Sequence, residues 1–223
     1  MKDFERLTLT PIAHIECDYK EKFGIPRQSG LVPLTARIVF EKEFARSEAI
    51  HGIEQFSHLW LIWGFSESEG GSLTVRPPRL GGNERIGVFA TRSPYRPNPL
   101  GLSSVRLVQV LDGTLIVEGA DMLDGTPIYD IKPYVPYSDI HADAKGGFAD
   151  ERQSYRLCVN FDEKLQMLLP ERLREAAVEI LAQDPRPAYQ ADATRVYGVR
   201  LSDFDIRFKV EDKTLTVLEI QKI

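Results

Sequence analysis

The sequence predicts a mainly β protein, a sandwich or barrel of short strands, followed by a small α+β unit. Three observations carry this. Between Leu7 and Ile131 apolar residues recur in short alternating or β-branched runs. Those runs are punctuated by Gly, Pro and Asp-Gly pairs with no long helix between them, as in all-β architectures. A long pattern at helical spacing occurs only after Leu169.

The elements follow in order. "LTLTPIAHIE" (7–16) alternates, and "LTARIVF" (34–40) is β-branched and aromatic. A short helix is expected within "FARSEAIHGIEQF" (44–56). "HLWLIWGF" (58–65) is a continuous apolar strand, and "RIGVFAT" (85–91), "LSSVRLVQVL" (102–111) and "TLIVEGADML" (114–123) follow. Turns are expected at Asp112-Gly113 and Asp124-Gly125. Residues 138–154 are polar and contain Gly, which reads as a loop or linker. "CVNFD" (158–162) is then a strand. "LPERLREAAVEILAQ" (169–183) is a helix opened by Pro170, with Leu173, Ala176, Ala177, Ile180 and Leu181 on one face. "DPRPAY" (184–189) stops it, and residues 195–222 read as three strands with turns at Ser202-Asp203 and Asp212-Lys213.

Composition excludes several classes. The chain has 223 residues, 43% hydrophobic and 27% charged, as expected of a folded, soluble protein. No apolar run approaches the length of a membrane span. The N-terminus has no signal-peptide core, and Cys17 and Cys158 lack metal-type spacing, so reduced thiols and a cytoplasmic location are expected. There is no Gly-rich dinucleotide motif, P-loop, His-Glu-x-x-His or Cys-x-x-Cys, and His14, His51, His58 and His141 form no ligand cluster; no metal is expected. Ser103 and Ser104 lack a nucleophile-elbow context. The net charge of −5 argues against indiscriminate nucleic-acid binding. Yet between Arg76 and Arg106 six arginines face one acid, Glu84, a local excess of five positive charges that suits an anionic partner.

Four loops stand out: "GIPRQSG" (24–30), "RPPRLGG" (76–82), "TRSPYRPNPLG" (91–101) and "LDGTPIYDIKPY" (123–134). In the third, proline fixes its own φ and restrains Ser93, Arg96 and Asn98 before it. Such a loop loses little entropy on binding, as a preorganised site requires. The second has a Pro-Pro stem and a Gly-Gly hinge carrying Arg76 and Arg79, the build of a projecting, phosphate-seeking arm.

Together with "FSHLW" and "DPRPAY", these loops resemble the TsaA-like (YaeB) family, the TrmO-type tRNA methyltransferases, in family order over nearly the whole chain. The resemblance implies a β-barrel catalytic domain over residues 1–140, a linker at 141–154, a small α+β C-terminal domain over 155–223, and a homodimer. It implies methyl transfer from S-adenosylmethionine to N6 of the threonylcarbamoylated adenosine just 3′ of the anticodon, in the anticodon loop of threonine tRNA. Carried over motif by motif, it assigns cofactor contacts to Pro26, Arg27 and Gln28, to Arg92 and Leu102, and to Asp124, Gly125, Thr126 and Pro127. Ser66 and Glu67 fall where the family carries a His-Gln pair; this sequence departs there, so contacts at those two positions are expected from the backbone.

The acceptor nitrogen is a poor nucleophile, so catalysis needs orientation and a base; Asp130 and Tyr134 are the candidates. Arg76, Arg79 and Arg96, with Arg186 and Tyr189 of "DPRPAY", are expected to contact RNA by phosphate pairing and base stacking. The alternative is that Arg186 forms a structural ion pair. A chain ending near Phe148 is expected to fold and keep its cofactor affinity. A non-catalytic RNA-binding barrel is the alternative reading of the whole chain, and a Pro/Arg-loop dimer interface a third.

Overall fold

The computed structural model describes residues 7–68, 71–77, 84–152, 155–186 and 192–223. It is mostly β. Strands β1 (Ala13–Glu16), β2 (Thr35–Phe40) and β3 (His58–Gly64) come first, with a one-turn helix α1 (Ser47–Ile50) between the last two. A short ribbon of β4 (Thr74–Val75) and β5 (Ile86–Gly87) follows. Then come β6 (Leu100–Leu111), β7 (Thr114–Glu118) and β8 (Pro127–Pro133). Six of these close into a barrel in the order β1-β2-β7-β6-β3-β8, every neighbouring pair antiparallel. The barrel reading therefore holds over the sandwich. Alternation drives it: Leu59 and Leu61 of β3, Val105 of β6, Leu115 and Val117 of β7 and Ile128 of β8 are fully buried and meet Ile15 and Ile38 inside. The β6–β7 hairpin turns through Asp112 (φ +48) and Gly113 (φ +73), the positive-φ pair that a two-residue hairpin needs.

Some runs are shorter as strands than their pattern suggests. Only the end of "LTLTPIAHIE" pairs. "RIGVFAT" gives two paired residues and then a 3-10 turn, Val88–Ala90. "TLIVEGADML" leaves the sheet after Glu118, where Gly119 takes φ +86 and its carbonyl accepts from Gly30 N at 2.8 Å.

A short helix, α2 (Pro136–Asp139), leads out of the barrel. The rest builds a four-stranded sheet, β10-β11-β12-β9, from β9 (Cys158–Asn160), β10 (Tyr197–Leu201), β11 (Phe204–Glu211) and β12 (Thr214–Lys222). Between them lie α3 (Glu163–Gln166), capped by Asp162, and α4 (Glu171–Ala182). Helix α4 buries Leu173, Ala176, Ala177, Ile180 and Leu181, the expected face, against Val199, Ile206, Phe208 and Leu215. The turns at Ser202 (φ +54) and Asp212 (φ +53) fall where the sequence places them.

The core of this second unit is not its own. Tyr19, Val32 and Leu34, which lie between β1 and β2, are buried in the same apolar cluster as α4 and the sheet. Polar contacts reinforce the seam. Asp18 accepts both Arg172 guanidinium nitrogens, at 2.5 and 3.1 Å, and its carbonyl accepts from Ser202 N at 2.8 Å. Glu21 Oε1 accepts from Arg200 N at 2.8 Å. A polar linker near residue 148 thus separates the units in sequence while their cores interleave in space.

Candidate active site

A cavity of about 550 Å³ opens at one end of the barrel, large enough for a cofactor-sized ligand. Its walls come from the loop holding Pro26, Arg27 and Gln28, the end of β3 with Phe65 to Ser68, the stiff loop 91–96, the start of β6, and the segment Asp121–Leu123.

The stiff loop holds itself in shape. Thr91 Oγ1 accepts from Ser93 N at 3.3 Å and Ser93 Oγ from Tyr95 N at 3.2 Å. Arg96 Nη1 donates to Thr91 O at 3.0 Å, and Ser68 Oγ donates to Pro94 O at 3.0 Å. Proline restraint and these bonds together fix the backbone before any ligand arrives. Arg92 leans across the cavity and donates from Nη1 to Gln28 Oε1. The loop of Gln28 is itself tied to the second unit: Arg27 N donates to Gln183 Oε1 at 3.2 Å, and Arg27 Nη2 to Asp184 O at 2.6 Å.

Within the wall lies a chain of three side chains. Gly101 faces Trp63 across the β3–β6 pair, and without a Cβ it lets the indole lie flat over the strand. Trp63 Nε1 then donates to Ser103 Oγ at 2.9 Å, and Ser103 Oγ donates to Asp121 Oδ1 at 2.5 Å. Ser103 is 1% exposed. Burial pushes the Asp121 carboxyl above the ordinary carboxylate range, against the opposing pull of Ser103, Ser29 N and Arg92. The other carboxylate on the wall, Glu67, is exposed and pairs with Lys22 Nζ at 2.8 Å.

Of the expected cofactor residues, Pro26, Arg27, Gln28, Ser66, Glu67, Arg92, Leu102 and Thr126 line the cavity. Asp124, Gly125 and Pro127 stand behind it. Asp124 is spent on Cys17 N (2.8 Å) and Lys20 Nζ (2.7 Å), Gly125 turns at φ +76, and Pro127 opens β8. Asp130 and Tyr134 do not line it either. Asp130 pairs with Lys132 at 3.1 Å, and Tyr134 packs on Trp60, a lining ring, at a centroid distance of 5.5 Å. Both lie farther along β8 and beyond it, away from the residues that reach the rim.

The expected RNA contacts fare differently. Arg76 is exposed beside β4, while Arg79 and Tyr189 lie outside the described residues. Arg96 faces the cavity and braces its own loop instead. Arg186 is engaged in a structural pair, which corrects the expectation for it. Its guanidinium binds both Asp184 oxygens, at 2.7 and 2.9 Å, lies over the Tyr197 ring at 5.9 Å, and is only 14% exposed. Burial raises the Asp184 carboxyl, but Arg186 and Tyr155 outweigh it and hold it below the ordinary range. A phosphate would have to break this pair to reach the cation. Sequence reading missed Trp63, Ser103 and Asp121 as site residues. The available signal was an acid inside an apolar run, "GADML".

The wall thus offers arginine to an anion, a buried carboxylate, and apolar surface from Trp63, Phe65, Met122 and Leu123. That suits a ligand combining a carboxylate, a cation and an aromatic base. The sequence matches the tRNA-methyltransferase O N-terminal domain over residues 14–140 and the TrmO C-terminal domain over residues 155–223. This chain belongs to the tRNA-methyltransferase O family. It is 41% identical over 225 residues to the tRNA (adenine(37)-N6)-methyltransferase of Escherichia coli K12, covering 94% of this chain and 96% of that one. A Pseudomonas aeruginosa relative named for dependence on S-adenosylmethionine is 46% identical over 213 residues, covering 90% and 91%. The crystal structure of TrmO from Pseudomonas aeruginosa superposes over the full length of both chains with a TM-score of 0.82 at 37% identity. Among the described residues no helix is long and apolar enough to cross a membrane.

Proposed function

We propose that this TrmO-family chain transfers a methyl group from S-adenosylmethionine to N6 of adenosine 37 of tRNA, and that the adenosine is the threonylcarbamoylated one of threonine tRNA. Family membership carries the reaction class, an S-adenosylmethionine-dependent tRNA (adenine-N6)-methyltransferase. The observation that supports this cavity as the site is convergence. Loop 26–28, Arg92, Leu102 and Thr126 are distant in sequence and were each assigned to cofactor by motif, and all line one cavity.

When bound, S-adenosylmethionine supplies a methyl group activated by its sulfonium. The protein's part is to hold, align and desolvate. Arg92, steadied by Gln28, pairs with the methionine carboxylate. Trp63 and Phe65, packed edge to face at 4.4 Å, form an apolar wall that excludes water. Exposed Arg76 meets tRNA phosphate from outside. The exposed side chains of Leu73 (69%) and Phe89 (77%) suit burial against a second copy of the chain in a cytoplasmic homodimer.

The test is a calorimetric titration with S-adenosylmethionine, followed by methylation of threonine tRNA with and without its threonylcarbamoyl group. Arg92→Ala should weaken cofactor binding by about 1.5–3 kcal/mol, the scale of a hydrogen bond to a charged group. A folded wild-type protein that binds tRNA but no S-adenosylmethionine would support the RNA-binding barrel instead. Equal methylation of tRNA lacking the threonylcarbamoyl group would refute the proposed acceptor.

A further inference from the structure

We propose that Asp121 is the proton acceptor for methyl transfer, held in place by Ser103 and Trp63 as positioning residues. This rests on the reading above that the cavity is the transfer site. A nitrogen conjugated to both ring and ureido carbonyl has little free lone pair, so losing its proton during attack lowers the barrier. As the N6–CH3 bond forms, the S–CH3 bond breaks and its electron pair stays on sulfur; the N6 proton passes to the Asp121 carboxylate and from there to solvent.

Elimination narrows the choice first. Among the described residues the cavity wall holds two carboxylates and no histidine. Glu67 is exposed, and its carboxylate is engaged by Lys22 Nζ at 2.8 Å. Asp121 is recessed and takes a single short bond from a side chain that is itself fixed. The Trp63–Ser103–Asp121 chain orients the carboxylate, because Trp63 Nε1 donates to Ser103 Oγ and fixes the hydroxyl that gives its one proton to Asp121.

The surroundings also set its basicity. Facing Asp121 are Arg92 from the stiff loop, Ser29 N, and the buried Tyr19 hydroxyl; Lys22–Glu67, Arg27, Tyr95 and Arg96 complete the titratable and charged groups of the wall. Burial makes the carboxylate a stronger base than a surface aspartate, against the opposing pull of Ser103, Ser29 N and Arg92.

The experiment is single-turnover methylation of threonylcarbamoylated threonine tRNA at saturating S-adenosylmethionine, across about three pH units around neutrality, with separate titrations of cofactor and tRNA. The wild-type rate should rise with pH to a plateau. Asp121→Asn should keep both affinities within about threefold, lose at least about 100-fold in rate, at the low end for general bases, and lose the rising limb. Ser103→Ala removes a hydrogen bond to the charged form, so its limb should move to higher pH; a merely structural role lowers the rate without moving the limb. Trp63→Phe should move it the same way by less. The proposal is overturned if Asp121→Asn weakens S-adenosylmethionine tenfold or more, which would make it an anchor for the methionine ammonium. It is also overturned if the rate is retained, or if the Ser103→Ala limb stays where it was. Ser103→Ala also decides the matter if Asp121→Asn does not fold. Wild-type protein that binds no S-adenosylmethionine would instead sink the functional reading itself.

Discussion

Gly101→Ala should be a costly single-methyl change. The added Cβ would lie 2.6 Å from Trp63 Cδ2 and nearer still to Cε2 and Cζ2, where ordinary carbon contacts are about 3.5–4.0 Å. Neither partner has room to yield. Gly101 is held by its strand pairing with Trp63, one step from the end of the β3–β6 ladder, and Trp63 is 6% exposed with its edge against Phe65. The indole must therefore swing away, which overpacks the site at about 1–3 kcal/mol. Its bond to Ser103 is lost as well, about 0.5–1.5 kcal/mol. The sum is roughly 2–4 kcal/mol, and for a chain of this size each kcal/mol lowers Tm by about 2–4 °C. Calorimetry should thus show a fall of roughly 4–16 °C. Tryptophan emission gives a second readout, because Trp60 is the sole other tryptophan and a Trp60→Phe background isolates Trp63. A Tm within a degree of wild type with unchanged Trp63 emission would show that the indole does not depend on a bare glycine.

Two more expectations follow from the seam between the units. A chain ending at Phe148 exposes Tyr19, Val32 and Leu34 and strips the partners of Asp18, Glu21 and Arg27, so it should melt lower and bind S-adenosylmethionine at least about tenfold more weakly, as for loss of one or two such bonds; full cofactor affinity in that fragment would refute this. Asp18→Asn should cost about 1–2 kcal/mol at neutral pH, discounted because Arg172 is half exposed. Burial raises the Asp18 carboxyl, but Arg172 and Ser202 outweigh it and hold its folded pKa below the unfolded value. Its contribution is therefore complete above the ordinary carboxylate range and lost as pH falls through the lower folded value. Urea unfolding of both proteins should converge in acid, and a gap independent of pH would rule out the ionised pair.

Much of the fold was legible because it depends on local pattern. A continuous apolar run marks β3, Asp112-Gly113 marks a hairpin, and the spacing from Leu173 to Leu181 marks one helical face. The cavity walls were legible where a loop's composition is costly without a purpose, as with the prolines from 94 to 99. What stayed hidden depends on who meets whom. Tyr19 and Val32 sit beside barrel strands in sequence but pack under α4, more than 100 residues away. Asp121 looks like an ordinary strand residue until Gly119 turns the chain and aims it at Ser103. Arg186 has the look of a free cation in "DPRPAY", and only the fold brings Tyr155 and Tyr197 around its pair with Asp184.

The tether of Arg27 to Gln183 and Asp184 makes the loop from Pro26 to Gln28 part of two neighbourhoods at once. Thermodynamic linkage then runs in both directions. If seating of the second unit tightens S-adenosylmethionine by some factor, bound S-adenosylmethionine tightens that seating by the same factor. Whatever binds the second unit and shifts its seating is, by the same relation, felt at the wall of the cavity.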